Sequence, residues 1–152
     1  MTWLTNYVLP MLITILSGVL VYMLGELLNT IWLNPLQEYK NIKSNIAKKL
    51  VFYANVYSNV SNLENSNTEW GKLQLKASDE LRWLASELEG FIQTLSWIKI
   101  GIPKKANLKK VVGLLILLSN SMFDSNQFHQ NKENRNVVSQ IRHLMKIYEC
   151  NH

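Results

Sequence analysis

The sequence predicts an all-α protein: one N-terminal transmembrane helix followed by a small cytosolic four-helix bundle. Three observations carry that expectation. Residues 1–25 contain no charged side chain. In the remainder, apolar residues recur at three- and four-residue steps, the period of one helix face. No segment shows the period-2 alternation of a half-buried strand. Of the 152 residues, 47% are apolar and only 18% charged, below the roughly 25% charged of soluble domains. All 16 basic and 10 of the 11 acidic residues lie in residues 35–152, a net charge of +6 there. The chain thus divides into an anchor, residues 1–33, and a basic helical domain, residues 34–152. A plain soluble globule and a multi-domain machine are excluded. So is a disulfide scaffold, because the single cysteine, Cys150, has no partner within its chain.

The first element is the apolar run Val8–Gly25 (VLPMLITILSGVLVYMLG). A membrane-crossing helix needs about 20 apolar residues, and the window outward to Trp3 and Trp32 supplies them with some tilt. Trp3 and Tyr7 at one end, and Trp32 and Tyr39 at the other, match interfacial aromatic belts. Pro10 falls in the first turns, where a missing N–H costs least. A secretory signal would show a basic start and a small-residue cleavage site, and neither is present. A buried core helix is the other reading, opposed by the length and by the lack of a polar face before Glu26. Lys40, Lys43, Lys48 and Lys49 follow the run and no Lys or Arg precedes it. The positive-inside rule then places the N-terminus outside and residues 35–152 in the cytosol. A lone cysteine agrees with a reducing compartment.

Within that run Thr14, Gly18 and Gly25 fall on one stripe, with Ser17 beside it and Glu26 at the cytosolic end. Small residues let helix backbones approach closely in lipid, and an ionisable group there faces a partner helix, a headgroup or water. The stripe therefore points to a homo-oligomer. The plain alternative is incidental glycine, common in membrane helices.

Asn34-Pro35 reads as a helix start that separates the membrane helix from the next element. Leu36, Tyr39, Ile42, Ile46, Leu50, Tyr53 and Tyr57 mark the core face of that next helix. Its second half, Leu50–Tyr57 (LVFYANVY), is apolar nearly all round and needs cover on every side. Phe52, Tyr53, Asn55 and Tyr57 are accordingly candidates for a partner or subunit interface. After a polar loop, residues 59–68, a helix is expected from about Glu69 to Leu95, with Leu73, Ala77, Leu81, Leu84, Leu88 and Ile92 inward. Trp97–Ala106 (WIKIGIPKKA) reads as a connector. Asn107 is expected to cap a helix over Leu108–Phe123, too short and too close to four lysines for a second span. Residues 125–136 read as a loop. Val137, Val138, Ile141, Leu144, Met145 and Tyr148 mark a last amphipathic helix.

Chemistry-bearing motifs are sparse. His129, His143 and His152 are scattered, and Cys150-x-His152 lacks the second ligand pair a structural zinc needs. There is no phosphate loop, nucleophile elbow or zinc-protease motif. Asp79-Glu80 and Glu87/Glu89 read as solvated charge rather than an acid–base pair. The expectation is a non-enzyme without metal or cofactor. Lys99, Lys104, Lys105, Lys109 and Lys110 fall within twelve residues, interleaved with Trp97 and three isoleucines, and no acid occurs between Glu89 and Asp124. Such a patch suits anionic lipid headgroups, at about 1 kcal/mol per lysine. Nucleic acid is the rival ligand, with Trp97 free to stack on a base, and a plain solvated loop is the third reading.

Four stretches, Leu33–Lys40 (LNPLQEYK), Leu50–Asn59 (LVFYANVYSN), Ala77–Leu88 (ASDELRWLASEL) and Leu114–Phe123 (LLILLSNSMF), together resemble a family of small uncharacterised bacterial single-pass membrane proteins. The resemblance implies the layout and no reaction. More loosely, one span plus a small cytosolic domain is similar to membrane effectors of anti-phage systems, including retron-type ones. Two embedded polar groups stand out: Asn55, expected inside the bundle or at a subunit interface, and Ser119-Asn120-Ser121, read as a helix C-terminus or a partner for Asn55. Two functions follow as expectations. One is a self-associating, membrane-perturbing effector. The other is a membrane anchor whose cytosolic bundle recruits a protein or nucleic-acid partner.

Overall fold

The computed structural model describes residues 7–59, 68–95, 100–123 and 127–147, and among these every element is helical. The first is α1 (Leu9–Leu28), with Pro10 in its first turn. It does not end at the Asn34-Pro35 signal. A π-helical turn, Asn29–Leu33, leads directly into α2 (Asn34–Phe52), so a single 44-residue helix runs from Leu9 to Phe52. Asn34 is helical rather than a cap, and its N–H reaches back five residues to the Asn29 carbonyl. The expected break is therefore replaced by a bulge, for a physical reason. Proline's ring crowds the carbonyl four residues back and supplies no donor, and widening the preceding turn relieves both problems without ending the helix.

The heptad-like face of α2 behaves as its spacing requires: Tyr39, Ile42, Ile46 and Leu50 are buried. At Tyr53 the backbone leaves helical geometry and resumes as the short α3 (Ala54–Ser58), which buries Val56 and Tyr57. α4 (Glu69–Thr94) starts on Thr68, whose hydroxyl accepts from the Gly71 N–H at 3.1 Å, an N-cap worth about 1 kcal/mol. Ala77, Leu81, Leu84, Leu88 and Ile92 face inward as expected, and Leu73 is half-buried.

α5 (Lys105–Ser121) begins two residues before the expected Asn107 cap, with Lys104 at the N-cap position and no side-chain cap. Its apolar middle is core: Leu108, Val111, Leu115 and Leu118 are buried, so the reading as a core helix holds against a second span. α6 (Gln127–Met145) starts ten residues earlier than the expected Val137. Residues 127–136 (QFHQNKENRN) hold no glycine or proline, so nothing stops a helix there. They lack an apolar stripe because the one deeply buried side chain among residues 130–136 is a polar one, Asn134.

Cross-helix contacts fix the order of ends. Tyr39 stacks on Phe91 (centroids 6.1 Å apart) and its hydroxyl donates to the Met145 carbonyl, so the last turns of α4 and α6 lie beside the start of α2. Gln74 and Ser78 reach the Met122 and Ser119 carbonyls, so α5 runs antiparallel to α4. Helices α2, α4, α5 and α6 thus alternate in direction around one core, and α1 continues α2 beyond it. Each fully buried Leu or Ile contributes about 1.5–3 kcal/mol.

Candidate functional site

The surfaces singled out in the sequence divide sharply once their exposure is known. Among the described residues nothing in the body covers α1. None of its residues is buried, and its 18-residue apolar window has a mean hydropathy of 2.0. It is long and apolar enough to cross a membrane, and the reading as a core helix fails because no other part of the described chain packs on it. On this helix Thr14, Ser17, Gly18, Gly25 and Glu26 are all exposed. A Cβ at Gly18 or Gly25 would meet nothing within 4 Å. Their Cα surfaces are therefore open, and no packing among the described residues requires a glycine at either place. The two hydroxyls are turned onto their own helix: Thr14 donates to the Pro10 carbonyl at 2.9 Å and Ser17 to the Thr14 carbonyl at 2.8 Å. That arrangement satisfies both groups without water, as any surface placed in lipid would require.

Where α1 meets the body, the segment after α4 folds against the helix. The Trp32 indole N–H donates to the Ile100 carbonyl at 3.3 Å. Gly101 takes a left-handed conformation (φ 82°) beside Leu36, where a Cβ would stand 3.1 Å from a leucine methyl. Glycine is needed there twice over, for the turn and for the close approach. These contacts hold Ile100, itself 61% exposed, and the start of α5 at the α1 end of the body. Of the basic patch, Lys104, Lys109 and Lys110 are exposed and Lys105 is half-buried, all at that end of α5. Lys99 and Trp97 lie outside the described residues. No acid occupies the first turn of α5, so these lysines oppose the helix dipole.

The proposed interface set does not survive as a unit. Tyr53 and Tyr57 are core side chains, 1% and 5% exposed, and are closed to any partner. Phe52 is 71% exposed beside Val51, and Asn55 is also exposed. The all-apolar look of Leu50–Tyr57 arises because α2 and α3 turn different faces inward on either side of Tyr53. Asn55 is accordingly not a buried polar group and does not meet Ser119 or Asn120.

Ser119-Asn120-Ser121 is instead a junction between helices. Arg82 of α4 donates to the Ser119 hydroxyl (3.3 Å) and the Asn120 side-chain carbonyl (2.8 Å). Ser121 donates to Asn134 at 2.6 Å, and Asn134 donates to the Tyr57 carbonyl at 3.0 Å. The Ser121–Asn134–Tyr57 half is buried and the Arg82 half lies at the surface; together they fix which helices meet. Sequence reasoning missed Asn134, whose only signal was its place in a polar run.

The acids of α4 are less solvated than their spacing indicated. Glu80, Glu87 and Glu89 are half-buried, and one Glu87 carboxylate oxygen is buried without a hydrogen-bond partner. Glu80 lies 2.6 Å from Lys49, with the buried Tyr53 hydroxyl facing it outside strict hydrogen-bond alignment. Burial alone would raise the Glu80 pKa, but Lys49 and Tyr53, with Lys76 beyond, outweigh it and hold the carboxyl below its ordinary value. Among the described residues no three His, Cys, Asp or Glu side chains gather as a metal site; Cys150 and His152 lie outside them. No protein-family model, curated protein or solved structure matches this chain.

Proposed function

We propose that this chain is a non-catalytic, single-pass protein of a bacterial inner membrane, and that it self-associates through α1 to act as a membrane-perturbing effector. In this reading α1 crosses the bilayer with its N-terminus outside, and α2–α6 form a cytosolic four-helix bundle, α2 and α3 counting as one bent helix. The observation that carries it is the uninterrupted helix Leu9–Phe52, apolar and uncovered in its first half, core-forming in its second. Twenty residues with side chains such as Leu16, Val21 and Tyr22 more than 60% exposed form an apolar surface far larger than soluble monomers leave in water. Lipid and a second helix are its natural cover. The small-residue stripe says where a second helix would fit. The rigid connection means that pairing of spans and pairing of bodies are mechanically linked. Resemblance in layout to anti-phage membrane effectors supports the same reading.

The test is cross-linking in native membranes together with growth on overexpression. Replacing Gly18 and Gly25 by Leu should reduce the cross-linked oligomer at least ten-fold and relieve toxicity. Oligomer and toxicity unchanged by both substitutions would show that the stripe is not the mechanism. A membrane anchor recruiting a cytosolic protein is the second reading, favoured by exposed Val51 and Phe52 at the end of α2. It differs in expecting partner capture to survive the glycine substitutions. Nucleic acid at Lys104, Lys105, Lys109 and Lys110 is the further form of that reading.

A further inference from the structure

At the last turn of α6 three adjoining clefts, of about 270, 490 and 380 Å³, open between α2, the segment before α5, and α6. Lys146 lines all three, Lys43 two, and Lys40, Arg142 and His143 one each. Among the described residues no Asp or Glu lines any of them. Lys43 and Lys146 come from chain segments more than a hundred residues apart, so the fold, not a local charge run, gathers these basic side chains.

The backbone supplies a second, independent observation. Lys146 has φ 53°, the sole positive φ on a non-glycine among the described residues. It sits just past α6 in a closing turn in which the Ile147 N–H bonds the Arg142 carbonyl (2.8 Å) and the Lys146 N–H bonds the His143 carbonyl (3.1 Å). Glycine is the residue that position ordinarily selects, because a Cβ there is strained. A lysine held in a strained conformation, and lining every one of the clefts, is the kind of outlier that points to use. That turn closes α6 and accounts for the left-handed backbone, but it calls for no lysine side chain at that place. Tyr39 donates to the Met145 carbonyl and Lys43 to the Lys146 carbonyl at 2.7 Å. That leaves the Lys43 ammonium two further donors.

We propose that this basin binds a phosphate group, with Lys43 and Lys146 as its principal donors and Lys40 and His143 at its margins. Tetrahedral phosphate offers several acceptors to the ammonium groups that line these clefts, and the clefts leave room for a substituent on it. The phosphate belongs either to a lipid headgroup or to a soluble phosphate compound. The basin stands whether or not α1 crosses a bilayer.

The experiment uses the full chain in phosphatidylcholine nanodiscs, titrated calorimetrically with inorganic phosphate at constant ionic strength, and in discs that also carry phosphatidic acid, followed by thermal midpoint. Variants are Lys43→Gln, Lys146→Gly and, outside the basin, Lys110→Gln. K146G relieves the backbone strain, so it should melt above the wild type without ligand, and its loss of binding is then not a loss of fold. Inorganic phosphate binding that weakens at least ten-fold in K43Q and K146G but not in K110Q supports the basin and a soluble source. A midpoint raised only by phosphatidic acid, and lost in the same two variants, supports it with a headgroup source. No response to either probe, or a response that K43Q and K146G leave intact, overturns it.

Discussion

Three buried tyrosines make the residue scale measurable. Tyr39 donates to the Met145 carbonyl and Tyr57 to the Leu50 carbonyl, while Tyr53 faces Glu80. Burial pushes Tyr39 up to about 12 from 10.0. Burial and then the Glu80 carboxylate push Tyr53 to about 12. Burial also raises Tyr57, against the opposing charges of Arg142 and Arg135. A tyrosine whose folded pKa is raised binds its proton more tightly when folded, so its contribution is complete below pH 10 and is lost as pH climbs toward 12. Denaturant unfolding of the full chain in micelles should therefore show stability falling from about pH 10 upward, by about 2 kcal/mol or more in total. Tyr53→Phe should flatten that slope. A stability that stays level from about pH 9 to about pH 12 would contradict the burial of these hydroxyls. Glu80 acts at the opposite extreme. Its lowered pKa makes its contribution present above the ordinary carboxylate range and lost as pH falls through the depressed value. The inward placement of the three tyrosines is legible from helical spacing alone. The polar partners are not, because Asn134 and Lys146 meet Tyr57 and Lys43 from the far end of the chain, and nothing local marks them.

At the scale of elements, apolar periodicity locates α2, α4 and α5 and their inward faces, since burying a stripe is what makes those segments helices. It fails at two places for identifiable reasons. Periodicity starts α6 too late because the first half of that helix is anchored by an amide rather than by apolar side chains. The Asn34-Pro35 signal reads as a stop and a start because proline at a first helical position and proline after a π turn look the same in sequence. That second case has a mechanical consequence. A π turn is an α-helix carrying one extra residue, and an α-helix rotates about 100° per residue. Deleting Thr30 should narrow Asn29–Leu33 to α-helical width, with a kink at Pro35 where its ring meets the carbonyl four residues back, while keeping the azimuth of α1 against α2. Cross-linking through α1 should then persist, with helical content unchanged by circular dichroism. Deleting Thr30 and Ile31 together should turn α1 by about 100° relative to the body and reduce cross-linking several-fold. Equal yields from the two deletions would show that the π turn does not set the rotational register.

For the whole molecule, the dominant fact is the contrast between two ends of one helix. A 44-residue helix is about 66 Å long at 1.5 Å per residue, and a bilayer's hydrocarbon core would take up roughly 30 Å of that. From Tyr39 onward the same helix is built into the core of α2–α6, so the body does not swing on a linker. Lys104, Lys105, Lys109 and Lys110 stand at the α1 end, and Lys40 and Lys43 lie on the first turns of α2. If α1 spans, those charges meet the membrane on the side that retains positive residues. The intact protein should therefore stay in the pellet after alkaline carbonate washing. In a Cys150→Ser background, an impermeant maleimide should label a cysteine at Tyr7 in intact cells. It should label one at the exposed Ser86 of α4 only after permeabilisation. Reversed labelling would invert the orientation and leave the stripe hypothesis standing. Release of the chain by carbonate would exclude a bilayer-spanning α1. The apolar face of that helix would then need a protein cover, and oligomerisation in solution would be the first thing to measure.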